Sequence, residues 1–282
     1  MDKCNSKPIT HTPPTTLTPP RTPTALETSA HCLLSEIQQI HTTLSTLPSL
    51  APGPQTDTLL TRLVALCIQS RTPAFTSYFF SIPHVSPLCT SLRALCAAAE
   101  GALESHWARA IIATARLDPK TSRTDLLDAF PYYQNYIALS RLECSTLEAF
   151  LAAPPTNITF IGSGPLPLSS LCMLDRYPRA TVWNVDRDAA ALGVSRELCG
   201  ALGYAGMEFA CADVTVESAG NEEWMASGVV FLAALVGEDT GSKMGILEAL
   251  ARKLGPGTLV VARSARGLRS VLYPVSRSCA LL

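Results

Sequence analysis

Five short apolar runs separated by segments of helical length, all between Asn157 and Ala262, constrain what this chain can fold into. The runs are 157–161, 181–185, 207–210, 228–235 and 258–262. Each is too short for a core helix and nearly continuous in apolar character, as strands covered on both faces are. Strands alternating with helices predict an α/β, Rossmann-like parallel sheet, and ligands of such sheets sit beyond the carboxyl ends of the strands. The site is therefore sought where strands stop.

Upstream of Pro154-Pro155 the period changes. Leu33, Ile37, Ile40, Leu44 and Leu47 recur every three or four residues, as do Leu59, Leu63 and Leu66, then Leu92, Leu95, Ala99 and Leu103. This is the spacing of amphipathic helices, so residues 31–150 are expected to form an all-helical domain, interrupted by the Pro-containing breaks 48–54 and 82–87. Residues 1–30 are expected to be a disordered tail, because 8–24 is little but Thr and Pro and offers no apolar surface to offset ordering. That leaves 151–282 for the sheet domain.

Composition removes several classes of function. With 22 basic and 23 acidic residues the net charge is -1, so nothing draws the chain to nucleic acid or an anionic membrane. The longest apolar run, Val229 to Val236, falls far short of the roughly 20 residues that span a bilayer. Ten cysteines are scattered without a Cys-x2-Cys pair, and Met1 to Lys7 is polar where a signal peptide would begin. They read as reduced thiols of a cytoplasmic protein without a metal site. The oligomeric state stays open.

The first strand ends in Gly162-Ser163-Gly164-Pro165-Leu166-Pro167. Two glycines let the backbone turn sharply against a ligand, although an ordinary strand-to-helix turn has the same pattern. Pro167 stands where a dinucleotide fingerprint has its third glycine, which favours a ligand without a pyrophosphate. The second strand ends at Asp186, placed to accept from both hydroxyls of a ribose. Asp188 starts the next helix, and Asp213, past the third strand, is either an adenosine contact or a turn residue. Together these strand ends point to S-adenosylmethionine.

Further blocks sharpen this: Leu47-Pro48-Ser49-Leu50, Ala99 to His106, Phe130 to Tyr136, Gly162 to Leu168, Phe231 to Gly237, Arg263 to Gly267 and Leu272 to Val275. In that order the chain resembles the nicotianamine synthase family. The resemblance implies a methyltransferase-type sheet preceded by helices. It also implies transfer of aminobutyrate groups from three S-adenosylmethionine molecules, with release of methylthioadenosine, to form the metal chelator nicotianamine. Some relatives start from glutamate, so the first acceptor is open. A conventional methyltransferase and an inactive cofactor-binding remnant are the alternatives.

Such a transfer needs a carboxylate base in apolar surroundings, because the attacking amine must first lose a proton. Glu104 shares a helical stripe with Glu100, Trp107 and Ile111, and the Leu-Glu-x-His block carries it over as that base; an exposed charged edge is the competing reading of both glutamates. Tyr136 carries over as the tyrosine that orients the acceptor, with Tyr133 as a substrate contact and Ala233 at the cofactor; Tyr132 is expected in the core. Arg263, after the fifth strand, is either a carboxylate anchor or a surface charge. His106 is expected to face another side of its helix and serve as a structural hydrogen bonder. Two departures from the family are expected: an inserted loop around Thr114 to Asp125, and a C-terminus lacking further strands.

Overall fold

The computed structural model describes residues 24–216, 222–237 and 239–274. Residues 1–23, most of the expected tail, lie outside the described residues. Among the described residues six helices come first: α1 (Ala25–Thr46), α2 (Pro54–Cys67), α3 (Pro73–Ser81), α4 (Val85–Leu117), α5 (Arg123–Asp128) and α6 (Tyr133–Phe150). Then follow β1 (Asn157–Ile161), α7 (Leu168–Arg176), β2 (Thr181–Asp186), α8 (Ala189–Ala201), β3 (Met207–Cys211), β4 (Val229–Leu232), α9 (Thr240–Lys253) and β5 (Leu259–Ala262). Among the described residues no helix is long and apolar enough to cross a membrane.

Helix α1 begins inside the stretch expected to be disordered. A capping box explains the difference: Glu27 N donates to Thr24 Oγ1 at 3.2 Å and Thr24 N donates to the Glu27 carboxylate at 2.6 Å. That reciprocal pair satisfies donors that a helix start leaves free, so the tail's last threonine becomes a helix cap. Pro54 and Pro73 likewise sit at the first turns of α2 and α3, where a missing N–H costs nothing. The expected loop at 114–125 is partly helix, since α4 continues to Leu117 and Ser122 caps α5 by accepting from Asp125 N.

The strands pair in the order β3-β2-β1-β4-β5, all parallel, with β1 central. Strand β4 stops at Leu232, before the end of the apolar run, because Ala233 to Gly237 turns away with Gly237 at φ 85°. β5 is an edge of the described sheet, and no further strand follows it among the described residues.

Packing does not divide at residue 150. The first half of α4 joins α1–α3 through Val85, Cys89 and Leu92, while its second half sends Ala108, Ile111 and Ile112 against α8 through Leu198 and Cys199. After β5 the chain returns to the helices: Leu268, Val271 and Leu272 fill the α1–α4 core, and the Arg93 guanidinium donates to Ser270 O. One long helix and one returning segment thus tie sheet and helices together, with the ends of the central strands facing α4.

Candidate active site

A cleft of about 810 Å³ opens between the carboxyl ends of β1, β2 and β4 and the inner face of α4. Its floor is the turn after β1. Gly162 and Gly164 have φ 76° and 66°, a region open to glycine, and a Cβ on Gly162 would overlap the Val236 side chain. A Cβ on Gly164 would lie 2.5 Å from Glu104 Oε2. Gly162 N donates to Val185 O at 2.8 Å, and Gly164 N donates to Asp186 Oδ2 at 3.0 Å. Ser163 Oγ is buried without a hydrogen-bond partner, as is Ser170 Oγ, and both residues line the cleft.

Gly162, Ser163, Gly164, Pro165, Asp186, Asp213, Ala233, Glu104, Tyr136 and Arg263 all line this one cleft. Asp186 spends one oxygen on Gly164 N and the other on Asp188 N at 3.0 Å, so it first shapes the turn; a carboxylate has lone pairs left for a ligand. Asp213 accepts from Thr215 N at 2.9 Å and from Thr215 Oγ1 at 2.6 Å, which hold its carboxyl below the usual range. Asp188 caps α8 through Ala190 N and Ala191 N.

On the α4 wall, burial pushes the Glu104 carboxyl well above the ordinary carboxylate range, and the charges of Glu100 and Asp186 push it further, against a hydrogen bond from Tyr136. Burial also raises Glu100, opposed by Arg263. Glu100 lines the cleft, so the exposed-edge reading fails for it as for Glu104. The Tyr136 phenol is raised by its own burial, then by Glu104 and Glu100.

Neither Tyr132 nor Tyr133 stands where it is expected, and neither lines the cleft. Tyr132 is 48% exposed at the start of α6, whereas Tyr133 is 5% exposed. Tyr133 does not line the cleft; it faces a separate groove beside Cys144 and Cys172. Tyr132 is the N-cap of α6, outside the helix, whereas Tyr133 begins it and is carried onto its buried face. His106 is exposed and packs edge-on against Trp107.

Three residues that hold the site in place, Glu143, Ser169 and Lys243, carry no signal in the sequence. Glu143, on α6, is buried and pairs with Arg263 through Nε at 2.8 Å and Nη2 at 2.9 Å; Nη2 also donates to Ser169 Oγ at 2.8 Å. Arg263 is thus oriented by a bidentate pair and is no surface charge. Lys243, on α9, is fully buried and donates to Ala233 O at 3.1 Å and Ala234 O at 2.9 Å, clamping the loop after β4; burial lowers its ammonium to about 8. A charged residue on an amphipathic helix reads as solvated unless its distant partner is known.

Residues 26–281 match the family model described as Nicotianamine synthase protein. The chain is 39% identical over 247 residues to Nicotianamine synthase-like 5 protein of Hordeum vulgare, covering 86% of this chain and 83% of that one. It is 35% identical over 252 residues to Nicotianamine synthase 2 of Arabidopsis thaliana, covering 88% and 76%. Among solved structures, MtNAS in complex with MTA and tNA superposes with a TM-score of 0.68 at 20% identity over 86% of both chains. A glutamate-to-glutamine mutant of MtNAS in complex with S-adenosylmethionine gives 0.66 at 21%, also over 86% of both chains. At such identity the likeness to solved structures concerns the fold.

Proposed function

This chain belongs to the nicotianamine synthase family, and on that premise we propose that its cleft transfers aminobutyrate groups from S-adenosylmethionine, one after another, to form the chelator nicotianamine. The observation that carries the reading is the seat of the Glu104 carboxylate against Gly164, which puts a basic group beside the turn that would hold the sulfonium substrate. The cleft fits that substrate: two positive-φ glycines leave a cradle a Cβ would fill, Ser163 Oγ is buried with no partner, and acidic groups suit a cation.

Each residue then has a task. Asp186 fixes the glycine turn and keeps lone pairs for a ribose, with Asp213 beyond it toward the adenine. The Lys243 clamp holds Ala233 and Ala234 at the opposite wall. A sulfonium offers three carbons to attack, so alignment decides the product: aminobutyrate transfer requires the amine about 3 to 3.5 Å from the γ-carbon. Tyr136 orients the acceptor at that distance. Glu104 removes the proton from its ammonium, and burial makes Glu104 basic enough to do so near neutral pH. Arg263, held by Glu143 and Ser169, presents its remaining edge to the acceptor's carboxylate.

The test is to incubate the protein with S-adenosylmethionine, with and without glutamate, and identify products by mass spectrometry. Methylthioadenosine is expected, and its dependence on glutamate identifies the first acceptor. S-adenosylhomocysteine alone would mean methyl transfer and overturn the reading. Glu104→Gln is expected to lower turnover by about 10²–10⁴-fold, the usual worth of a general base, while calorimetry shows substrate binding retained.

A further inference from the structure

Iterative transfer poses a proton problem that a single base does not solve. In each cycle the acceptor nitrogen forms a bond to the γ-carbon, the carbon–sulfur bond breaks, and its electron pair stays on sulfur as the neutral thioether. An ammonium and a sulfonium enter; a secondary ammonium, methylthioadenosine and one proton leave. Glu104 holds that proton afterwards and is then an acid, unable to act again until it is relieved.

The α4 wall contains a group placed to relieve it. Glu100 lies one helical turn before Glu104, the spacing at which side chains meet, and both line the same cleft. Beyond Glu100 the wall continues along α4 over Ala98, Ala97 and Ala94, which are exposed, so Glu100 stands between Glu104, seated against the Gly164 turn, and solvent. The groups facing the pair come from four other elements. Asp186 at the end of β2 acts on Glu104; Arg263 after β5 acts on Glu100; Tyr136 of α6 and Tyr273 of the returning segment both face Glu100; Cys96 lies on α4 itself. Arg263 is already matched by Glu143. Two half-buried carboxyls lining one cleft therefore share one cation that has another partner, and such a pair retains a proton between its members.

We propose that Glu100 takes the proton from Glu104 after each transfer and hands it to solvent along the alanine-lined end of the cleft. Glu100 acts through Glu104 and not on the substrate, and its role rests on the aminobutyrate-transfer reading above.

The test has two parts, chosen to fail separately. In protein labelled with carbon-13 at the glutamate carboxyls, an NMR pH titration follows both groups directly. The Glu104 midpoint is expected to fall by about one pH unit or more in Glu100→Gln, because a like-charged neighbour has gone. Linkage requires the reciprocal fall of Glu100 in Glu104→Gln, which decides the matter if the first variant does not fold. Unchanged midpoints would overturn the proposal. In the second part, products are resolved by the number of groups added: Glu100→Gln is expected to slow the second and third transfers about tenfold more than the first, so that partly built product accumulates. Equal slowing of all transfers would overturn the proposal. If the parent releases no methylthioadenosine, the functional reading falls, while the titration still decides whether the two carboxyls share a proton.

Discussion

At the scale of single residues, the site depends on what Gly164 lacks. A methyl group there would press on Glu104 Oε2, the movable end of a side chain, so Gly164→Ala is expected to fold and yet displace the base. Turnover should fall by about 10²-fold, as small misplacements at reacting centres cost, and the left-handed backbone at φ 66° should cost about 1–3 kcal/mol and lower Tm by several degrees; parallel kinetics and thermal melts check both. Glu104 also has a stability consequence whose sign follows from its raised carboxyl. A group held above its unfolded value binds more protons when folded, so its contribution is present below about pH 4.3 and is lost as pH rises through the folded value. Glu104→Gln, which cannot ionise, should therefore melt higher than the parent at neutral pH. The gain should vanish toward pH 4, as a series of melts would show.

At the scale of elements, the loop between β4 and α9 is where charge and chain path are joined. Lys243 directs its ammonium at two carbonyls of that loop, and Gly237, at φ 85°, lets the backbone pass the base of the same lysine. Lys243→Met keeps the apolar stem but leaves both carbonyls unpaired. It should destabilise by about 1–3 kcal/mol and weaken S-adenosylmethionine binding, measured by denaturant melts and calorimetry. The same loop shows what the sequence left hidden. The run at 157–161 coincides with β1, whose residues from Ile158 onward are buried, whereas 233–235 looked like more of β4. Those residues are apolar because they wall a cleft, and composition does not distinguish a wall from a strand. The glycine turn and Asp186 are legible because backbone conformation and strand ends restrict what can stand there, whereas Glu104 is singled out by the family's Leu-Glu-x-His block and not by its helical stripe. Glu143 is not legible, because its partner lies 120 residues away.

At the scale of the molecule, α4 and the returning segment make helices and sheet one cooperative body. Leu272, 4% exposed, sits in the α1–α4 core although it follows β5. Leu272→Ala should cost about 2–5 kcal/mol, the range for a buried leucine. If the halves are joined as described, far-ultraviolet dichroism of the helices and fluorescence of Trp224, buried beside the sheet, should report one shared transition at a lowered Tm. Separate transitions would show the halves to be independent. The same return governs how the chain is born. Helices α1 to α4 leave the ribosome long before the residues that close their core, and at about 5–20 residues per second the wait is roughly 8–31 s. Throughout that time Leu63, Phe79 and Leu92 border an unfilled hollow. A core sealed by a segment made so long after it depends on being shielded while it waits.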